Sequence, residues 1–202
     1  MKKDSRDTIV IIDSEYLYKI AKHYGHGNKL KCHINTFAIR LCKERGLWCN
    51  EIYYYTAPPY QSPIPTSEEN LRKKGYDNFL KILKSLIPSV TIREGRCQKD
   101  ENGKFHQKGV DTHLIMDLQT MAQRREVPQV IVVACDTDFV PVFNKVRTEY
   151  GLKIILAYFF DGVRKGNFSM SNHMFTACDD KIFIKKEYFD TTPVINDYKG
   201  IN

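Results

Sequence analysis

Short apolar runs alternate along this chain with segments in which apolar residues recur at helical spacing. Runs typical of strands cover residues 8–13, 50–56, 89–97, 130–134 and 152–159, with a shorter one at 181–184. Helical patterns cover residues 15–22, 34–45, 67–86 and 110–125, and another begins near residue 139. This alternation predicts an α/β fold, with a mainly parallel sheet of about five or six strands and helices on both faces.

The segments between these patterns carry the residues of turns and loops. Residues 57–67 contain four prolines and are predicted to form a loop, and residues 98–108 a hairpin or mobile loop that turns at Asn102-Gly103. The length of 202 residues suits a single domain over 1–202, in which residues 191–202 form a loosely ordered C-terminal tail.

The composition narrows the class of protein, its compartment and its possible partners. Apolar residues make up 42% and charged residues 27% of the chain, as in ordinary globular proteins, and no apolar run is long enough to span a membrane. Six cysteines without a CxxC pair and the lack of a signal core favour a cytoplasmic location. The net charge of +7 favours a polyanionic partner, although a generally basic surface would give the same number.

Acidic residues stand at the ends of two predicted strands. Asp13 ends the first strand, and Asp136 and Asp138 follow the fourth within "VVACDTDFVPVF". In doubly wound sheets such strands are commonly neighbours at the switch point, where the crevice for ligands opens. The alternative is that these acids only cap the helices that follow, Asp138 being the candidate cap of the segment that contains Pro141.

Two further acids lie beside the apolar stripe of the helix in "KGVDTHLIMDLQTMA". Asp111, at the helix start, could reach the carboxyl edge of the sheet or cap its own helix. Asp117 lies more than one turn deeper, and we expect it to support the site by accepting from backbone N–H groups of the turn after the fourth strand. Clustered carboxylates need a positive partner, and hard oxygen ligands suit Mg²⁺ or Mn²⁺.

The stretches "IVIIDSEYLY", "KGVDTHLIMDL" and "VVACDTDFVPVF" resemble, in this order and spacing, the NYN domain family of PIN-like ribonucleases. The resemblance covers residues 8–186. It implies a three-layer, Rossmann-like (PIN-like) fold and an acidic pocket that binds Mg²⁺ or Mn²⁺ for RNA cleavage. On this pattern Asp13, Asp111, Asp136 and Asp138 are the catalytic residues and metal ligands, and Asp117 is a further helix acid.

The chain departs from the family pattern at two places. Tyr16 replaces an asparagine after the first strand, and Ala134-Cys135 replaces serine-glycine before the acidic turn. Cys135 is a poor candidate nucleophile, because neighbouring negative charge raises the pKa of a thiol. Two main functions therefore stay open: a metal-dependent endoribonuclease, or a weakly active or inactive RNA-binding or adaptor module. A phosphatase-like enzyme is a third, weaker reading.

Basic and aromatic residues indicate where RNA would run, most simply as a single strand. Arg96 and Lys108 belong to the predicted hairpin, together with Arg93, and Arg164 and Lys165 belong to a loop after the fifth strand. Tyr60 and Phe105 could stack on bases. A cluster of His23, His26, Cys32 and His33 matches no zinc spacing. A homodimer is compatible with the sequence.

Overall fold

A computed structural model describes residues 4–162 and 169–196 of the chain. Arg164, Lys165 and the last six residues of the predicted tail lie outside this range. The strands are β1 (Asp7–Asp13), β2 (Trp48–Thr56), β3 (Ser89–Glu94), β4 (Arg96–Lys99), β5 (Phe105–Lys108), β6 (Gln129–Val133), β7 (Lys153–Tyr158) and β8 (Asp180–Phe183). The helices are α1 (Ser14–Tyr24), α2 (Ile34–Lys43), α3 (Ser67–Lys84), α4 (Val110–Arg124), α5 (Val140–Tyr150) and α6 (Asn172–Thr176).

Six of the strands form one parallel sheet in the order β3-β2-β1-β6-β7-β8. β1 lies at the centre, between β2 and β6, and its residues Ile11 and Ile12 pair with Val132 and Val133. β2 and β3 lie on one side of β1 and the later strands β6, β7 and β8 on the other, so the switch point expected from the sequence lies between β1 and β6.

Side chains that alternate along the central strands divide the interior into two cores. Val10 and Ile12 of β1 point toward α1, α2 and α3, whereas Ile9 and Ile11 point toward α4, α5 and α6. All five residues of β6 are buried, as a strand covered on both faces requires. The three-layer α/β fold predicted from the sequence is therefore confirmed. None of the described helices has the length and apolar character needed to cross a membrane.

The third predicted strand, residues 89–97, is divided at Gly95. β3 ends at Glu94, and the chain then enters a separate antiparallel hairpin of β4 and β5, in which Cys97 pairs with Gln107. The predicted alternative of a hairpin for residues 98–108 is thus the one found, and its turn contains Gly103 at φ +77°. The backbone of Gly95 donates to the Thr56 carbonyl at 2.8 Å, which fixes the point where the hairpin leaves the sheet.

Other boundaries shift by a few residues. α3 ends at Lys84 rather than near residue 86, and a short 3-10 helix, Thr137–Phe139, precedes α5. Of the predicted C-terminal tail, the described part contacts the domain: the Asn196 side-chain amide donates to the Cys49 carbonyl at 2.8 Å, and Val194 packs against the core.

Gly95 generates a prediction about stability. A Cβ atom at this position would clash with the Lys108 carbonyl oxygen and lie 2.8 Å from Val110 Cγ2, so the backbone would have to shift. We expect Gly95→Ala to lower the free energy of unfolding by about 1–3 kcal/mol, as over-packing does, measured by urea denaturation.

The matched control is Gly75→Ala on α3, where nothing lies within 4 Å of the added Cβ. This change should raise stability by about 0.5–1 kcal/mol, because alanine is the better helix former. If Gly95→Ala were as well tolerated as Gly75→Ala, the root of the hairpin would not be tightly packed.

Candidate active site

Asp13 is the last residue of β1 and the N-cap of α1. Its Oδ1 accepts the backbone N–H groups of Glu15 at 2.9 Å and Tyr16 at 3.4 Å. Burial first, and then the charges of Asp111 and Glu15, raise the pKa of Asp13 to about 6 against the lowering effect of the two backbone bonds. Asp13 therefore caps a helix and also forms part of a group of acids that repel one another.

Asp136 and Asp138 occupy the turn that follows β6. Oδ1 of Asp136 accepts the backbone N–H of Asp138 at 2.9 Å, so Asp136, and not Asp138, caps the short 3-10 helix. The cap alternative that the sequence suggested for Asp138 is therefore wrong. Asp138 lies in the first turn of that helix, with an exposed side chain.

Asp111 lies in the first turn of α4, next to the helix start at Gly109. Gly109 is the N-cap residue, in the left-handed region at φ 82°, and the structure shows no side-chain cap bond there. The cap alternative for Asp111 is therefore not the arrangement found. Burial raises the pKa of Asp111, and the charges of Asp136, Asp138 and Glu15 add to this effect.

Three of these acids face one cleft at the carboxyl edge of the sheet. The cleft has a volume of about 740 Å³, and Asp13, Asp111 and Asp136 reach it from β1, α4 and the turn after β6. The hairpin forms one wall and α1 another. The other residues that line the cleft are Glu15, Tyr16, Lys19, Cys97, Phe105, His106, Gln107, Lys108, Val110, Cys135, Thr137, Ser169 and Ser171.

The donor atoms in the cleft are of the kind that hard divalent cations prefer. The three aspartates supply carboxylate oxygens, and the lysine of α1 that faces the cleft, Lys19, is bonded to Glu15 at 2.7 Å. Within residues 4–162 and 169–196, no group of three or more His, Cys, Asp or Glu side chains is close enough to surround one ion. The acids thus line one cleft and repel one another, without forming a closed coordination shell.

Asp117 has partners other than the backbone N–H groups expected from the sequence. Its carboxylate accepts from Arg93 at 2.7 Å (Nε) and 3.1 Å (Nη2), and from the Tyr55 hydroxyl at 2.9 Å. It is not among the residues that line the cleft. Asp117 therefore ties α4, which carries Asp111, to β2 and β3. Arg93, which the sequence had suggested as an RNA contact, is thus engaged in an ion pair with Asp117.

The hairpin supplies basic and aromatic side chains to the cleft. Lys108 lines it and pairs across the hairpin with Arg96. Phe105 also lines it, with 53% of its surface exposed, and its ring lies 5.4 Å from that of Tyr60. Arg164 and Lys165, expected at the same edge, fall outside the described residues.

Sequence reasoning missed several residues of the cleft. Lys19, His106, Ser169 and Ser171 all line it, and they come from three distant parts of the chain. Only Lys19 carried a signal: it follows Glu15 by four residues on one helix face, the spacing of an ion pair.

Comparison with known proteins identifies the family of the chain. A family model of the NYN domain matches residues 7–185. The chain belongs to the NYN domain family. A search of curated proteins found no match. The chain is similar to a crystal structure of a protein of unknown function from Vibrio parahaemolyticus, with 14% sequence identity and a TM-score of 0.58 over 93% of this chain and 98% of that one. At this identity the likeness concerns the fold alone.

The tyrosine that departs from the NYN pattern has a structural partner. Tyr16 is fully buried, and its hydroxyl oxygen accepts the backbone N–H of Phe159 at 2.7 Å, just after β7. Burial raises the pKa of Tyr16 well above its usual value, so the phenol stays neutral. In this NYN domain the position after the first strand therefore joins α1 to the end of β7.

Cys135, the second departure, remains a protonated thiol. Burial raises its pKa to about 12, and the charges of Asp13, Asp136 and Glu15 act in the same direction against that of Lys19. A neutral thiol is a poor nucleophile. Cys135 is therefore not a candidate nucleophile of this NYN domain.

The raised pKa of Asp13 predicts a pH dependence. The pKa rises from 3.8 to about 6 on folding, so the native state binds the proton more tightly. The resulting loss of stability is absent below pH 3.8 and fully present above pH 6. Asn keeps the cap and removes the charge, so the stability of Asp13→Asn relative to the wild type should increase as the pH rises from about 4 to 6 and then level off.

Thermal or urea unfolding in EDTA, at several pH values, measures this difference. Asp77→Asn on α3, which removes an acid paired with Lys73 outside the cleft, is the control and should show no such increase. A constant difference between Asp13→Asn and the wild type across this pH range would show that Asp13 is not under electrostatic strain.

Proposed function

We propose that this NYN domain is a metal-dependent endoribonuclease that cleaves single-stranded RNA. The proposal rests on one observation: three carboxylates from separate elements, Asp13, Asp111 and Asp136, face one open cleft, and mutual repulsion contributes to the raised pKa of two of them. Such an arrangement favours a divalent cation as its partner. The free thiols of all six cysteines support a reducing, cytoplasmic setting.

Asp13 and Asp136 would be the main ligands of Mg²⁺ or Mn²⁺. Each uses Oδ1 for a backbone bond at the end of a central strand, which holds the carboxylate in place. Asp111 and Asp138 would complete the shell, either directly or through water. A bound ion would supply an activated water and stabilise the leaving oxygen in phosphodiester hydrolysis.

The walls of the cleft would bind and orient the RNA strand. Lys108, on the hairpin, offers a cation for a phosphate, and Phe105 beside Tyr60 offers an exposed ring for a base. Cys135 and Tyr16 stay protonated, so neither would act as a nucleophile or a general base. Asp117 would act at a distance, by fixing α4 through Arg93.

A specific observation favours a second candidate, an RNA-binding or adaptor module without cleavage. The residue at the family's asparagine position, Tyr16, has its hydroxyl engaged with Phe159, and a polar contact to the cleft is thereby lost. This candidate predicts salt-dependent RNA binding and no cleavage with any divalent metal.

Cleavage of labelled single-stranded RNA tests the first candidate. The wild type should cleave with Mn²⁺ or Mg²⁺ and be inactive in EDTA. Asp13→Asn and Asp111→Asn should each lose at least about a hundredfold in rate, because a lost ligand weakens stabilisation of the transition state. Glu68→Gln, which changes an exposed acid on α3, should keep full activity.

The outcomes separate the candidates. RNA binding without cleavage by the wild type would favour the adaptor module. Equal cleavage by the wild type and Asp13→Asn would mean that the activity comes from a contaminant, and the enzymatic proposal would fail.

Metal-dependent stability tests the ligands without measuring activity. Mg²⁺ or Mn²⁺ at a hundredfold excess over Kd should stabilise the protein by about 2.7 kcal/mol, seen as a higher Tm. Asp136→Asn should keep the stability of the metal-free protein, because asparagine preserves the cap, and should lose most of the metal effect. Asp136→Ala should in addition lower the stability of the metal-free protein by about 1 kcal/mol.

Asp138→Ala provides the comparison. Its side chain does not make the cap bond, so the metal-free protein should be nearly unchanged, and the metal effect should decrease less than for Asp136→Asn. A full metal response in Asp136→Asn would contradict the proposed site and leave Asp136 as a helix cap only.

A further inference from the structure

A second groove begins where the acidic cleft ends. It has a volume of about 840 Å³ and follows the outer side of α1. Lys19 lines both the acidic cleft and this groove, so the two adjoin at this side chain. The described residues that line the groove include three lysines and no acid; they are Tyr18, Lys19, Lys22, His23, Tyr24, His26, Gly27 and Lys186.

Two of these lysines have charges available for a ligand. Lys22 and Lys186 are exposed, and neither forms a salt bridge with any described residue. Glu187, the acid next to Lys186 in the sequence, lies 4.0 Å from the Nζ atom of Lys185. The groove therefore presents positive charge directly beside a cleft of negative charge.

An exposed aromatic side chain, Tyr18, lines the same groove as these two lysines. Tyr18 is 44% exposed, and Lys29 Nζ lies 5.4 Å from the centre of its ring. The spacing along α1 puts Tyr18 one turn from Lys22, on the same side of the helix. Exposed rings interleaved with cations are the surface that binds single-stranded nucleic acid, because bases stack on rings and phosphates pair with lysines.

We propose that this groove holds the part of a single-stranded RNA that flanks the cleavage site. Lys22 and Lys186 contact its phosphates, and Tyr18 stacks on one of its bases. This inference rests on the proposed function for the choice of RNA. An acidic protein segment would also match the charge, but it has no bases to stack on the exposed ring of Tyr18.

Fluorescence anisotropy in EDTA tests the groove independently of cleavage. The probe is a labelled single-stranded RNA of about twelve nucleotides, within the range of known single-strand sites. Lys22→Glu/Lys186→Glu should bind at least about tenfold more weakly than the wild type. Lys22→Gln/Lys186→Gln should lower the slope of log K against log salt by about 1.4, because each phosphate contact contributes about 0.7.

The matched control is Lys84→Glu/Lys145→Glu. It makes the same change in net charge and, like the test variant, reverses one exposed lysine in the last turn of a helix, here α3. This control should bind RNA almost as the wild type does. Tyr18→Ala should weaken binding about fivefold or more, as expected for a lost stacking contact.

These measurements test RNA binding by the groove separately from the proposed nuclease activity. Unchanged binding by both Lys22/Lys186 variants would overturn the groove, even if the wild type cleaves RNA. Weakened binding in a protein that never cleaves would support the groove and reject the nuclease. If Lys22→Glu/Lys186→Glu has a lowered Tm, the RNA affinity of Lys22→Gln/Lys186→Gln decides whether the groove binds RNA. Displacement of the RNA by poly-glutamate as effectively as by unlabelled RNA would indicate a general polyanion surface and overturn the proposal.

Discussion

The parallel pairing of β1 with β6 is the contact on which the rest of this structure depends. It joins the apolar runs of two strands, with Ile11 beside Val132 and Ile12 beside Val133, at the centre of the sheet. Parallel strands end at the same edge, so this pairing places Asp13 and Asp136 at one opening. The sheet topology, which the burial of apolar side chains drives, thus brings together acids that repel one another.

Helix capping and site formation are not alternatives in this fold. The sequence presents them as competing explanations for each aspartate, yet Asp13 and Asp136 both accept backbone N–H groups through Oδ1 while they face the cleft. The backbone bonds lower the pKa of Asp13, and burial raises it by more. The caps therefore fix both carboxylates in place, and at Asp13 the backbone bonds compensate only part of the cost of burying the charge.

Local patterns predicted the strands, the helices and the edge where the acids lie, because burial on two faces leaves continuous apolar runs in β1 and β6. They did not predict the break at Gly95, which depends on how closely the Lys108 carbonyl approaches. Nor did they give the partner of Asp117, since Arg93 lies on another element and the helix pattern says nothing of it. In each case the missing information is a tertiary contact, which local sequence patterns do not contain.

α1 shows how one helix can couple these features. Its N-terminus is capped by Asp13, and its inner face, with Tyr16 and Ile20, packs in the core, where the Tyr16 hydroxyl binds the backbone just after β7. Its outer face carries Tyr18 and Lys22. The tyrosine that departs from the family pattern therefore holds α1 against the sheet. The Tyr16 bond thus helps to position a helix whose N-terminal part lines the acidic cleft and whose outer side lines the groove.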